Sequence, residues 1–276
     1  MSSLQVPMAP LKPKIDAALE PLKPPAASLL GRLLRASGRD VTDDSARRSC
    51  LVLAPHPDDE TLGCAVTMMR RIEAGSAVHV IVASDGGKWP PSRDAADNFE
   101  TRRCELANAC DVLGLDPATV THLGLPDGGL AARVEELADA IADAIVRLRP
   151  DDVLTTGVHD THGDHVALGR ASLRAASSTS ARLLVYPIWQ WLRPGSLVRT
   201  WRASGRPETV RTEGFLDRKV AAIHQFSSQL APPTERAAVP TDQGLTEHFV
   251  AQFCQQREIL FPVNVTASVP SPGRSS

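Results

Sequence analysis

The chain has 276 residues, 42% of them apolar and 22% charged, with a net charge of −2. That length allows one α/β domain with extensions, or at most two small domains. The near-neutral charge argues against nucleic-acid binding, which draws on a basic excess, and every apolar run falls short of the roughly 20 residues that span a bilayer.

Residues 1–48 read as a Pro-rich extension, broken at Pro7, Pro10, Pro13, Pro21, Pro24 and Pro25. Within it Leu29, Leu30, Leu33 and Leu34 lie at helical spacing, as in a short helix strapped over a core; a helix that docks on a partner or a membrane surface is the other reading. The start lacks the charged end and continuous apolar stretch of a secretory signal. The five cysteines, Cys50, Cys64, Cys104, Cys110 and Cys254, are odd in number and form no CxxC pair. We therefore expect a reducing compartment, the cytoplasm, and a metal site built from His and carboxylates if there is one.

From Cys50 the pattern alternates. Cys50–Ala54 reads as a buried strand, 62–75 as a helix, Val78–Ala83 as a strand, and 97–114 as a helix closed by Gly114. Val120–Leu123 is a short strand. Residues 130–148 form an amphipathic helix through Leu137, Ile141 and Ile145. Asp152–Thr156 is a strand, 165–178 a helix and Leu183–Tyr186 a strand. Two more helices are expected at 214–229 and 244–257, around a loop at 231–240. Strands and helices alternating at this length imply an α/β fold, a Rossmann-like, mostly parallel sheet with helices on both faces. The main domain is expected over 49–261, with a flexible Ser- and Pro-rich tail at 262–276.

Ligands of such sheets bind beyond the carboxyl ends of the strands. Two polar clusters fall there: His56-Pro-Asp-Asp-Glu60 after the first strand, and His159-Asp-Thr-His-Gly-Asp-His165 after the strand at 152–156. Each has a bland explanation, since Asp59 and Glu60 suit the first turn of any helix. Together they hold what a catalytic zinc needs: three His or carboxylate ligands, an acid left over as a base, and an imidazole to face an oxyanion. Spacing alone leaves open whether Asp58 or Asp59 is the ligand.

Ala54-Pro-His-Pro-Asp-Asp-Glu60 resembles the AHPDDE signature of the PIG-L/LmbE-like zinc-dependent N-deacetylases, and His162-Gly-Asp-His165 their HxDH signature. Arg102-Arg-Cys-Glu105, the segment Leu123–Leu130, and Lys219, His224, Ser228 and Gln229 resemble further family stretches in the same order. The resemblance implies one zinc ion per chain, held by His56, Asp59 and His165. It implies Asp58 as general base, His162 as the imidazolium facing the oxyanion or the leaving amine, and Asp164 as the group that orients His162. Arg102 and Asp127 match positions beside the substrate sugar. The implied reaction removes an N-acetyl or other N-acyl group from an N-acetylglucosamine-like conjugate. The partner is then a small-molecule, lipid-linked or thiol-linked amino sugar, with no nucleic acid and no transmembrane segment.

Residues 1–48 lie outside the family core, and Lys88–Arg93 and Tyr186–Trp191 do not align to one subgroup of the family. Trp89, Trp189 and Trp191 are read either as sugar-stacking surfaces or as cover for the core. Other functions weighed are a metal-dependent phosphoesterase, which in most cases needs two metals and more bridging ligands, a non-catalytic sugar binder of the same fold, and a nucleotide-binding module. For the last, no GxGxxG or GxxxxGK[ST] follows a strand.

Overall fold

The computed structural model describes residues 23–91, 93–177, 179–231 and 244–264; the rest of the expected extension and tail, 1–22 and 265–276, lies outside them, as does the expected loop from 232 onward. Helix α1 (Lys23–Ser37) leads into a two-residue strand β1 (Arg39–Asp40) and a short helix α2 (Thr42–Ala46). The alternation read from the sequence follows: β2 (Cys50–Ala54), α3 (Asp59–Glu73), β3 (Val78–Ser84), α4 (Ala95–Leu113), β4 (Val120–Leu125), α5 (Val134–Leu148), β5 (Asp152–Thr155), α6 (Gly163–Ala176) and β6 (Arg182–Val185). Then come α7 (Pro194–Ser204), β7 (Glu208–Arg211), α8 (Leu216–Ile223), a one-turn α9 (Glu247–Val250) and β8 (Arg257–Val263). No helix of the described residues is long and apolar enough to cross a membrane.

The strands form one sheet in the order β1-β7-β8-β6-β5-β2-β3-β4. β6, β5, β2, β3 and β4 run parallel, and β8 lies antiparallel to both its neighbours. Helices cover both faces. One core joins α3 and α4 to the sheet through residues such as Met68, Val80 and Leu106, and the other joins α5 and α6 through Leu137, Ile141 and Leu168. From β2 the chain winds outward through β3 to β4, then returns to β2's other side as β5 and β6. The reversal leaves a crevice between β2 and β5, where doubly wound sheets bind ligands.

Three expectations change. The helix read over 244–257 is only the turn of α9, and the segment after it is β8. A charge at Glu258 and Pro262 disguise this strand, yet Pro262 is tolerable. It pairs with Leu184 of β6 at a point where β7 has ended, so its missing N–H faces no partner strand. The helix read over 214–229 stops at Ile223, and α7 and β7 are elements that the sequence reading does not include. Of α1, Leu34 is fully buried in the core while Leu29 and Leu33 remain exposed.

Candidate metal centre

β2 and β5 are hydrogen-bonded neighbours, with Cys50 opposite Asp152. Their carboxyl ends therefore bring the two His/Asp clusters together. Asp58 stands immediately before α3 with φ 134°, a left-handed backbone that a non-glycine residue rarely adopts. Such a residue costs on the order of 1–3 kcal/mol and is held by its surroundings. Here the twist sends neighbouring carboxylates different ways. Asp59 turns back, its Oδ2 accepting from the His56 amide at 3.1 Å. Asp58 turns to Arg102, whose guanidinium donates to Asp58 Oδ2 at 3.0 Å and to the Pro57 carbonyl at 2.5 Å.

Asp59 Oδ2 also lies 3.2 Å from His56 Nδ1 and 3.3 Å from His165 Nε2. Those spacings lie close to the edge of a tetrahedron around a zinc ion with bonds of 2.0–2.1 Å, about 3.3–3.4 Å. Both ring nitrogens of the fully buried His165 lack a well-formed hydrogen bond, Nδ1 having only Asp160 Oδ2 at 3.5 Å. A carboxylate behind one imidazole nitrogen, with the other nitrogen left for a metal, is the usual support of a metal-binding histidine. The residues present thus fit a zinc ion. The ring nitrogens of His56, His162 and His165 also come within 4.8 Å of one another, so His162 competes with Asp59 as third ligand. Asp59 lies at the shorter of these spacings from both His56 and His165 and would bring a charge to offset that of the metal, and His56, Asp127 and Asp164 form a further set within 4.8 Å.

Asp164 is expected beside His162, and the structure places it elsewhere. Its Oδ2 is 3.3 Å from His56 Nε2, and its carboxylate accepts from the amides of Gly128 at 2.6 Å and Leu130 at 3.2 Å. Asp127 Oδ1 joins it at 3.2 Å from the same His56 nitrogen. Gly128, with φ 70°, makes the turn that allows this close approach. Only the backbone of Asp164 meets His162. His162 caps α6, and its Nδ1 accepts from the Asp164 amide at 3.3 Å. The charge of the Asp164 carboxylate still acts on His162 and raises it, but its hydrogen bonds go to His56 and the amides of Gly128 and Leu130.

Burial tends to lower the His56 imidazole, but Asp127, Asp164 and Asp59 outweigh it and hold His56 well above the ordinary histidine value. Burial raises Asp59, yet His165 and His56 keep its carboxyl low. Burial, with Asp59 and Glu60 adding to it, raises Asp58 against the pull of Arg102. His162 goes the other way from expectation. Burial, His165 and His56 lower it, and the opposing charges of Asp59 and Asp164 do not outweigh them. With Nδ1 accepting the amide, the remaining proton of the neutral ring belongs on Nε2.

The cluster opens into a cavity of about 400 Å³. His56, Asp58, Asp59, Arg102, Asp127 and His162 form its polar end. Trp89, Ile188, Trp189, Leu245 and Phe249 form an apolar end, with Lys88 and Gln229 as further polar groups on the wall. Trp189 stacks between His162, at 6.1 Å, and Phe249, at 5.3 Å. Trp191 belongs to the core: its indole N–H donates to the Pro187 carbonyl and the Arg35 guanidinium of α1 lies 5.0 Å from its ring. His224 is exposed and away from the cavity, whereas Gln229 reaches it. The sequence reading assigned no role to Asp160, although its place in the second cluster was visible, and none to Phe249, which no local signal marks.

Residues 51–176 match the family model described as PIG-L, GlcNAc-PI de-N-acetylase. A 1D-myo-inositol 2-acetamido-2-deoxy-alpha-D-glucopyranoside deacetylase of Kineococcus radiotolerans is 34% identical over 164 residues, 48% of this chain and 45% of that protein. The chain thus matches less than half of that relative's length. The conserved protein TT1542 from Thermus thermophilus is 30% identical with a TM-score of 0.52, over 66% of this chain and 80% of that one.

The chain belongs to the PIG-L/LmbE-like deacetylase family.

The N,N'-diacetylchitobiose deacetylase from Pyrococcus horikoshii has the same fold at 18% identity, with a TM-score of 0.53 over 66% of this chain and 70% of that one. Within this PIG-L/LmbE-like chain the matched segment contains both His/Asp clusters and Arg102. It ends before Trp189, Lys219, Gln229, Phe249 and Glu258.

Proposed function

We propose that the chain is a zinc-dependent hydrolase that removes an N-acetyl group from an amino-sugar conjugate of the N-acetylglucosamine type. The observation that carries this reading is Asp59 Oδ2, set at nearly equal distances from His56 Nδ1 and His165 Nε2, while Asp58 is held apart from them by Arg102. A zinc ion held by His56, Asp59 and His165 would supply Lewis acidity and bring the pKa of a bound water to about 7.

The chain's own groups do the proton work. Asp58 takes the proton of the attacking water. Arg102, paired with Asp58, favours its ionised form against the cost of burial. His162 donates from Nε2–H to the oxygen that becomes negative as the water adds to the amide carbon. A neutral imidazole is sufficient for this. The proton held by Asp58 then passes to the amide nitrogen as the C–N bond breaks, leaving a carboxylic acid and a free amino sugar. The carboxylates of Asp164 and Asp127 fix His56, and that of Asp160 fixes His165. The sugar and its aglycone fit the cavity between the polar cluster and the apolar wall that Trp89, Ile188, Trp189 and Phe249 supply. All five cysteines are unbridged, which supports a cytoplasmic location.

The test is a mass-spectrometric screen of the purified protein against N-acetylglucosamine and its inositol, malate and phosphatidylinositol glycosides. Loss of an acetyl mass is expected from at least one, abolished by a chelator and restored by zinc. Hydrolysis that continues at full rate after chelation and metal analysis would overturn the metal assignment. If every N-acetyl conjugate is returned intact by zinc-loaded protein, the substrate class is wrong.

A further inference from the structure

Behind the metal centre, a buried ion pair is inserted into the helix that carries the base and the carboxylate ligand. Lys219 of α8 and Glu258 of β8 are almost wholly buried, with Nζ and Oε1 2.8 Å apart. Neither merely neutralises the other. Lys219 Nζ also donates to the Leu62 carbonyl at 2.8 Å. Glu258 accepts from the amides of Val66 at 2.9 Å and Thr67 at 2.8 Å, and from the Thr67 hydroxyl at 2.6 Å.

Leu62 and Val66 are partners four residues apart in the ladder of α3, where an interior amide ordinarily donates to the carbonyl one turn back. Here a lysine reaches that carbonyl and a glutamate reaches that amide. A carboxylate that takes two successive backbone amides is the arrangement of a helix N-terminus. Helix α3 runs unbroken over Asp59–Glu73, and the pair grips its backbone at Leu62, Val66 and Thr67, within and just behind the leading segment, Asp59–Ala65, that emerges directly from Asp58. On the leading segment Gly63 has no room for a side chain, since a Cβ there would lie 2.3 Å from the Tyr186 ring. Tyr186 in turn donates its hydroxyl proton to the Leu53 carbonyl of β2 at 2.7 Å.

We propose that Lys219 and Glu258 are positioning residues for the metal centre. By holding the Leu62 carbonyl and the Val66 and Thr67 amides, they fix the leading segment of α3 and thereby aim Asp59 at His56 and His165 and Asp58 at Arg102. The inference rests on the metal centre proposed above. Both residues lie beyond the segment matched by the family model, on elements that supply no metal ligand. Stability alone is a weak reason for such a pair, because a buried ion pair replaced by uncharged groups of similar volume is often neutral in stability.

The experiment compares the parent with the double variant Lys219→Met/Glu258→Gln, which removes both charges together. In metal-free protein, amide hydrogen exchange over residues 58–62 should quicken at least ~10-fold while residues 68–73 stay as in the parent, since local opening is not uniform across a structure. Cobalt(II), used as a spectroscopic probe, should bind about 10–100-fold more weakly with an altered visible spectrum, at a melting temperature close to the parent's. Parent-like exchange over 58–62 together with a parent-like cobalt affinity and spectrum overturns the proposal. If the double variant does not fold, Glu258→Asp, which keeps the charge but shortens the reach, is read by the same two measurements and the same outcomes. Failure of the parent itself to bind cobalt would instead count against the metal centre, and the exchange measurement would still decide the role of the pair in ordering the helix start.

Discussion

At the polar end of the cavity each side chain is fixed by directional bonds: Asp58 to Arg102, His56 to Asp164 and Asp127, His162 to the start of α6. At the other end Trp189 is positioned by ring stacking on His162 and Phe249. The difference separates two tasks. A hydrogen bond sets the direction of an atom and the tautomer of a ring, as proton transfer requires. Packing sets only shape and excludes water, as the binding of a non-reacting group requires. Substitutions at the two ends should therefore fail in different kinetic terms.

The largest effect is expected at Asp58. Asp58→Asn should keep its metal, by elemental analysis, and lose about 10²–10⁴-fold in kcat, the contribution of a positioned general base. Loss of the metal would exchange the roles of Asp58 and Asp59. Asp164→Asn should come next. Because its carboxylate faces His56, it should weaken metal affinity by about 10–100-fold. An unchanged affinity combined with a displaced limb of the pH–rate profile would return Asp164 to the orientation of His162. Trp189→Ala should have the smallest effect of the three. Loss of this part of the apolar wall should raise KM by about 3–10-fold, with metal content unchanged and kcat little altered. An equal fall in kcat would show that the stacked ring also steers His162, and the two ends would then not be separable.

Much of the fold was legible because its signals are local. The buried run at Cys50–Ala54, the helical spacing of Leu137, Ile141 and Ile145, and the closing glycine at 114, which does adopt φ 73°, each depend on neighbours within a few residues. β8 was hidden because a strand buried by its partners can carry a Glu and a Pro when tertiary structure satisfies both. Glu258 is satisfied by the amides of α3 and by Lys219, and Pro262 by the end of β7.

The sequence by itself determined that two His/Asp clusters stand at the ends of strands, and that such residue types suit a metal and a base. It also determined the residues that resemble the deacetylase signatures, because a signature is a local string. Only the tertiary structure decided which carboxylate faces which imidazole. His56 and Asp164 are separated by 108 residues and Arg102 and Asp58 by 44, so their pairing exists only once β2 and β5 lie side by side and α4 packs against α3. The backbone twist at Asp58 and the lowered pKa of His162 have the same origin. A strained φ and a shifted proton equilibrium are sustained by surrounding contacts, and those contacts come from parts of the chain that sequence spacing does not connect.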